Sequence, residues 1–278
     1  MLSNHTSDPI ESQLREEALY KPYQSLNAYL KKKYGEKIYK IALDGGFTCP
    51  NRDGTCGTRG CIFCSAGGSG EFATAIRQNS SIDAQIAQAL ARFGNKQTGQ
   101  RFIAYFQAYT GTYAAPERLY ALYHMALSHP KIIGISIATR PDCLPAPVLD
   151  VIKQCQMEFP DKFVWIELGL QSVHEKTALY IRRGYPLSCF EEALETLQTM
   201  SVPVIVHVIL GLPGETRADM LATIDYLSHK NIFGIKLQLL HVLRGTDLAA
   251  EYERGVFSCL SKEAYIDLLC SCIDHLNP

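Results

Sequence analysis

Four of the ten cysteines in this 278-residue chain fall within residues 49–64, CPNRDGTCGTRGCIFC. A polar, glycine-bearing loop with that many thiols suits a soft metal centre better than a hydrophobic core. Three thiolates there could hold an iron–sulfur cluster and leave one iron free for another ligand. Ligand count separates this from zinc, which in structural sites takes four ligands, often as two facing CxxC knuckles. The loop has one knuckle, Cys61-Ile-Phe-Cys64, with Cys49 and Cys56 upstream. Four thiols wrapped on zinc is therefore the rival reading. A thioredoxin-like redox pair, which needs its CxxC at a helix start in a smaller fold, fits less well.

Further along, polar residues punctuate apolar runs. Gln107, Tyr109 and Thr110 follow RFIAYF, and Thr139, Arg140 and Asp142 follow KIIGISIA. Glu167 lies inside FVWIELGLQ, where a buried carboxylate is costly unless it is paired or bonded to a ligand hydroxyl. Gln171 and Ser172 end that run, and Arg182, Arg183 and Gly184 follow, read equally as anion binders or as exposed arginines on a helix end. His207 in VIVHVIL reads as a satisfied core histidine rather than a catalyst. Gly211 and Gly214 in GLPGE form a turn whose backbone a ligand could approach closely. Lys236 and Gln238 share one face of a final strand, with Lys236 either snorkelling or pointing at substrate.

The elements that must carry these residues follow a βα rhythm. Strands are expected at 37–43, 101–107, 131–138, 163–170, 202–210 and 232–240. Helices are expected at 23–34, 81–93, 116–127, 147–157, 173–182, 189–200, 216–229 and 262–276. Apolar, β-branched strands between amphipathic helices indicate a parallel sheet covered by helices. About six such units suit an α/β fold built as an incomplete (β/α)6 TIM-like barrel, with the cysteine loop at the carboxyl end of its first strand. Residues 1–36 read as an arm and helix, and residues 37–278 as the core domain.

A net charge of −1 argues against reliance on general attraction to phosphates. Lys31, Lys32 and Lys33 read as a solvated helix end, with a nucleic-acid contact as the alternative. The polar start carries no export signal and no apolar run approaches bilayer length, so reduced thiols and a cytoplasmic location are expected. Cys143 is a candidate reactive thiol, while Cys155, Cys189, Cys259, Cys270 and Cys272 read as small apolar helix residues.

The stretches DGGFTCPNRDGT, GCIFCS, AYFQAYTGTYA, ATRPDCL, WIELGLQS, LGLPGET and GIKLQLLHVLRGT occur in that order between about residues 37 and 250. In them the chain resembles the radical S-adenosylmethionine (SAM) superfamily, within the Elongator catalytic-subunit-like group and its YhcC/YtqA-type branch. The resemblance implies a [4Fe–4S] cluster on Cys49, Cys61 and Cys64, the long first gap replacing the common CxxxCxxC; Cys56 is the alternative third ligand. It implies SAM contacts from Gln107, Tyr109, Thr110, Thr139, Glu167, Gln171, Arg183, Gly211 and Gly214, and catalytic or substrate roles for Arg140, Asp142 and Lys236. The implied reaction is one-electron cleavage of SAM to a 5′-deoxyadenosyl radical, fed by a flavodoxin- or ferredoxin-type donor. The implied substrate is tRNA wobble uridine, trimmed from carboxymethylaminomethyl to aminomethyl, with Tyr105, Phe106, Tyr109 and Tyr113 available to stack on a base. A small metabolite or a protein side chain is the alternative substrate, and a zinc-stabilised binding protein the alternative class. The proteins it resembles continue past Asn277-Pro278, so a shortened end is also expected.

Overall fold

The computed structural model describes residues 22–68, 81–93 and 99–276. The expected arm at residues 1–20, Ser69 and Gly70, and the terminal Asn277-Pro278 lie outside them. The first helix, α1 (Leu26–Tyr34), is started by the Ser25 side chain accepting from the Ala28 N–H and stopped by Gly35 in the left-handed conformation. Six parallel strands follow: β1 (Tyr39–Leu43), β2 (Phe102–Phe106), β3 (Ile132–Thr139), β4 (Phe163–Gln171), β5 (Val204–Leu210) and β6 (Gly234–Leu239). They pair in sequence order, β1-β2-β3-β4-β5-β6, so each crossover returns to the neighbouring position and the sheet curls into a partial barrel.

Helices cover the outer face. They are α2 (Ile82–Phe93), α3 (Pro116–Ser128), α4 (Ala146–Glu158), α5 (Glu175–Tyr180), α6 (Leu187–Thr199), α7 (Arg217–Ser228), α8 (Asp247–Glu253) and α9 (Lys262–His275). The expected helix over 173–182 is only Glu175–Tyr180, because the chain turns to left-handed conformation at Arg182 and Gly184. The short α8, begun by the Thr246 side chain accepting from the Ala249 N–H, was not expected at all. A reciprocal capping box between Thr216 and Asp219 fixes the start of α7. The main core lies between these helices and the outward-facing strand residues, among them Leu43, Phe106, Ile137, Leu168 and Val206.

The inner face is built in layers, since residues two apart on a strand share a face. The lowest layer is apolar, with Ile103, Ile133, Trp165 and Ile205 packed against Leu30 of α1. Trp165 stacks on Phe163 at 4.0 Å and meets Phe233 at 5.0 Å, and Tyr29 meets Phe233 edge-on at 5.3 Å. Helix α1 thus plugs the amino-terminal end of the barrel through Leu30 and Tyr29. Leu26 is 38% exposed. The next layer up is polar and forms the floor of the site: Lys40, Tyr105, Ser136, Glu167, His207 and Lys236.

Candidate active site

Residues 49–64 form a loop held almost entirely by hydrogen bonds to backbone carbonyls. The Arg52 guanidinium donates to the carbonyls of Cys64 (3.0 Å) and Ser65 (2.5 Å). Asn51, 4% exposed, donates from Nδ2 to the carbonyls of Arg182 (2.7 Å) and Arg183 (3.1 Å), and the same nitrogen lies 3.5 Å from Cys61 Sγ. The Ile62 N–H donates to Ile181, and the Leu248 N–H to Ile62, so the loop is stitched to α5 and α8. On the other side, the Tyr109 N–H donates to Gly68 and its hydroxyl to Ala66 at 2.6 Å. Gly184 must be glycine here: its φ is +85° and a Cβ would stand 2.7 Å from Asn51 Oδ1.

This arrangement sets Cys49, Cys61 and Cys64 on the wall of one cavity of about 280 Å³ at the carboxyl ends of the strands. Cys56 is exposed and absent from that wall. Among the described residues no three His, Cys, Asp or Glu side chains converge as a single metal ion requires. Zinc–sulfur bonds of about 2.3 Å would draw the sulfurs within roughly 4 Å of one another; a cubane, which places each thiolate on a different iron, spreads them wider. Burial, and then the neighbouring Cys64 thiol, push the Cys61 thiol up to about 11.

Polar groups line the same cavity. Gln107, Tyr109, Thr110, Thr139, Glu167, Gln171, Arg140, Arg183 and Lys236 are brought together on its wall with the three cysteines. Gln171 Oε1 is buried without a hydrogen-bond partner among the described residues, an acceptor suited to an ammonium or hydroxyl of a bound group. Tyr109 (φ 58°) and Gln171 (φ 67°) both sit in the left-handed region, local strain of the kind that marks ligand sites. Phe63, Ile181, Ile209 and Leu240 supply apolar cover.

Several residues differ from expectation. Gly211 and Gly214 lie in the turn after β5 and do not line the cavity; the Gly211 N–H contacts Met220 Sδ at 3.0 Å. Asp142 is also off the wall, because it clamps Arg140 through Nε (2.8 Å) and Nη2 (2.6 Å). Arg140 then donates from Nη1 to the Arg183 carbonyl at 2.9 Å, so the pair braces the loop. Arg183 is 1% exposed rather than a surface arginine, and its guanidinium donates to the carbonyls of Leu170, Ser172 and Tyr185. The expected reactive Cys143 is 4% exposed, and burial followed by the Asp142 charge pushes its thiol far up. Phe106 is core and cannot stack on a base, Cys259 and Cys270 are exposed, and Cys155 and Cys272 are buried.

The floor is where sequence reading missed most. Glu167 accepts from Lys40 and from Ser136 Oγ (2.5 Å) at Oε1, and from His207 Nε2 (2.6 Å) at Oε2. Lys236 Nζ stands 3.9 Å from Oε2. Burial alone would raise the Glu167 carboxyl, but the His207 hydrogen bond and the Lys40 charge outweigh it and hold the group far below the usual carboxylate range. Burial lowers His207 and Lys236 alike. His207 is thus a partner of Glu167 at the cavity, not a passive core residue. The register pairs that place it, Gly169 with His207 and His207 with Lys236, are not readable from single strands.

A carboxyl-end cavity in a partial barrel, with three thiols on a latched loop, defines a cofactor-dependent α/β enzyme scaffold. The family model for the radical SAM superfamily matches residues 54–227 and that for the Radical_SAM C-terminal domain matches residues 232–278, and the chain belongs to this superfamily. The first match takes in Cys56, Cys61 and Cys64 but begins after Cys49. The boundary at residue 232 falls just before β6, which pairs with β5 in the same sheet. The chain is 41% identical over 258 residues to YtqA of Bacillus subtilis (strain 168), covering 93% of this chain and 79% of that one. It is 39% identical over 249 residues to YhcC of Escherichia coli (strain K12), covering 90% and 78%. The solved structure of archaeal Methanocaldococcus infernus Elp3 shares the fold at a TM-score of 0.61 and 14% identity, over 87% of this chain and 54% of that one. Members of the superfamily use a [4Fe–4S] cluster and SAM.

Proposed function

We propose that this chain holds one [4Fe–4S] cluster on Cys49, Cys61 and Cys64, binds SAM beside it, and acts on tRNA wobble uridine, trimming carboxymethylaminomethyl to aminomethyl. The observation that carries the reading is the placement of those three thiols on one cavity wall, with Cys56 turned away. When bound, the cluster and SAM supply one-electron reductive cleavage to the 5′-deoxyadenosyl radical, the electron coming from a flavodoxin- or ferredoxin-type donor.

The chain's own residues have four tasks. Asn51 and Arg52 hold the loop so that the thiols face inward. Gln107, Thr110 and Gln171 offer acceptors for the polar groups of SAM. Phe63, Ile181, Ile209 and Leu240 keep water from the reacting atoms. Tyr109 anchors the polar strand-end loop to the cysteine loop. The tRNA substrate rests on the resemblance to the Elongator catalytic-subunit-like group, with which the chain shares 28% identity over 156 residues in Elongator complex protein 3 of Danio rerio.

Anaerobic reconstitution with iron and sulfide, followed by a 5′-deoxyadenosine assay with bulk tRNA, tests the reading. About four irons per chain and tRNA-stimulated product are expected. A colourless protein with stoichiometric zinc would make it a zinc-stabilised binding protein. An unchanged wobble-uridine profile in tRNA from a deletion strain would redirect it to a small-metabolite or protein substrate.

A further inference from the structure

The floor holds one more positive charge than its own carboxylate balances. Glu167 is the one carboxylate among the described residues lining the cavity, and its oxygens are taken up by Lys40, Ser136 and His207. Lys236, at 3.9 Å, is beyond hydrogen-bond length, and no described residue accepts a hydrogen bond from it. The other cations on the wall have acceptors of their own. Arg52 has the Cys64 and Ser65 carbonyls, Arg140 has Asp142 and the Arg183 carbonyl, and Arg183 has three carbonyls. With the His207 imidazole kept neutral by burial, two ammonium groups face one carboxylate. An ammonium with no hydrogen-bonded acceptor beside a paired carboxylate leaves its donors open to an incoming anion.

Room for that anion lies at Lys236. Its side chain is 41% exposed, against 24% for Lys40 and 0% for Glu167. It shares the cavity wall with Tyr105, His207 and Gln238, the last two residues further along the same strand face. Its ammonium lies 5.6 Å from the Tyr105 ring centroid, and the Lys40 ammonium lies 4.6 Å from the same ring.

We infer that Lys236, with the Gln238 amide beside it and Lys40 behind, forms a subsite for a single carboxylate of the substrate. One net charge matches a carboxylate and falls short of a phosphate dianion. Lys236 precedes the strand end at Leu239 by three residues, which puts the subsite roughly 10 Å below the rim. A substrate arm ending in a carboxylate therefore enters tip first and leaves the atoms nearer its base at the level of the thiols. The identity of what sits at the rim rests on the proposed function, and a carboxymethylaminomethyl arm has this form. Glu167 and His207 act as positioning residues that aim the two ammonium groups.

Two measurements on the reconstituted protein separate the subsite from the tRNA reading. In the first, N-methylglycine and N-methylglycinamide are compared by thermal denaturation of the wild type, Lys236→Met and Lys236→Arg. Stabilisation by the carboxylate alone, lost in Lys236→Met and kept in Lys236→Arg, is expected. Equal responses of wild type and Lys236→Met, or no response of the wild type, overturn the subsite. In the second, anticodon hairpins carrying carboxymethylaminomethyluridine or aminomethyluridine are compared by direct binding. A preference of about tenfold for the carboxylate form, abolished by Lys236→Met, is expected. A preference that survives Lys236→Met overturns the assignment to Lys236. If the first measurement succeeds and the hairpins bind alike, the carboxylate subsite stands and the tRNA reading fails.

Discussion

At the rim, Asn51, Arg52 and Arg183 direct their N–H groups to backbone carbonyls, whereas on the floor Lys40, His207 and Lys236 crowd a single carboxylate. The rim's bonds mainly fix main chain, with one contact from Asn51 to Cys61 Sγ, which is what a cofactor loop needs. The floor's interactions join side chain to side chain and leave charge over, which is what a recognition site needs. Loss of a rim donor should therefore loosen a loop, and loss of the floor carboxylate should destabilise the whole barrel.

The largest effect is expected from Cys49→Ser. Reconstituted iron and sulfide should fall to background, with 5′-deoxyadenosine formation down by more than the roughly 100-fold typical of losing an outer-shell partner. Retention of a full cluster in this variant would move the third ligand to Cys56. Glu167→Gln comes next, because it leaves two lysines without their carboxylate in a site where the side chain is 0% exposed. A loss of about 3–5 kcal/mol in denaturant unfolding is expected; a loss under about 1 kcal/mol would mean that the lysines find other partners.

Acid should sharpen the contrast. His207 is held below its ordinary 6.5 in the folded state, so the unfolded chain binds the proton first and stability falls as pH drops below about 6.5. Glu167, held far below its ordinary 4.5, adds a second loss in the same direction below about 4.5. His207→Gln should flatten the first limb of a Tm-versus-pH curve and leave the second. Asn51→Ala should cost about 1–3 kcal/mol by taking the side-chain donor from the Arg182 carbonyl, the Arg183 carbonyl keeping Arg140, with faster iron loss to a chelator. The smallest effect belongs to Cys56→Ser, whose side chain is exposed and off the cavity; iron content and activity should be unchanged.

Much of this was legible in the residues. The six strands, their parallel order and the location of the loop at a strand end followed from apolar runs between amphipathic helices. The common face of Lys236 and Gln238 followed from the two-residue period. What stayed hidden depends on register across strands or on single turns. Lys40 carries no signal within its own strand, because its partner Glu167 lies 127 residues away. Arg183 read equally as an anion binder or a solvent-facing helix end, because the left-handed residues that fold it inward carry no signal beyond Gly184. Asn51 sat unremarked between cysteines for the same reason, since its acceptors belong to a turn 131 and 132 residues away.

That separation bears on the order of events when the protein is made. The chain emerges with residues 49–64 early, yet their anchors at Arg182, Arg183 and Leu248 are translated much later. Until then only bonds within the loop and those from Tyr109 and Thr110 hold it, so the thiols take their final places only once those later residues have joined.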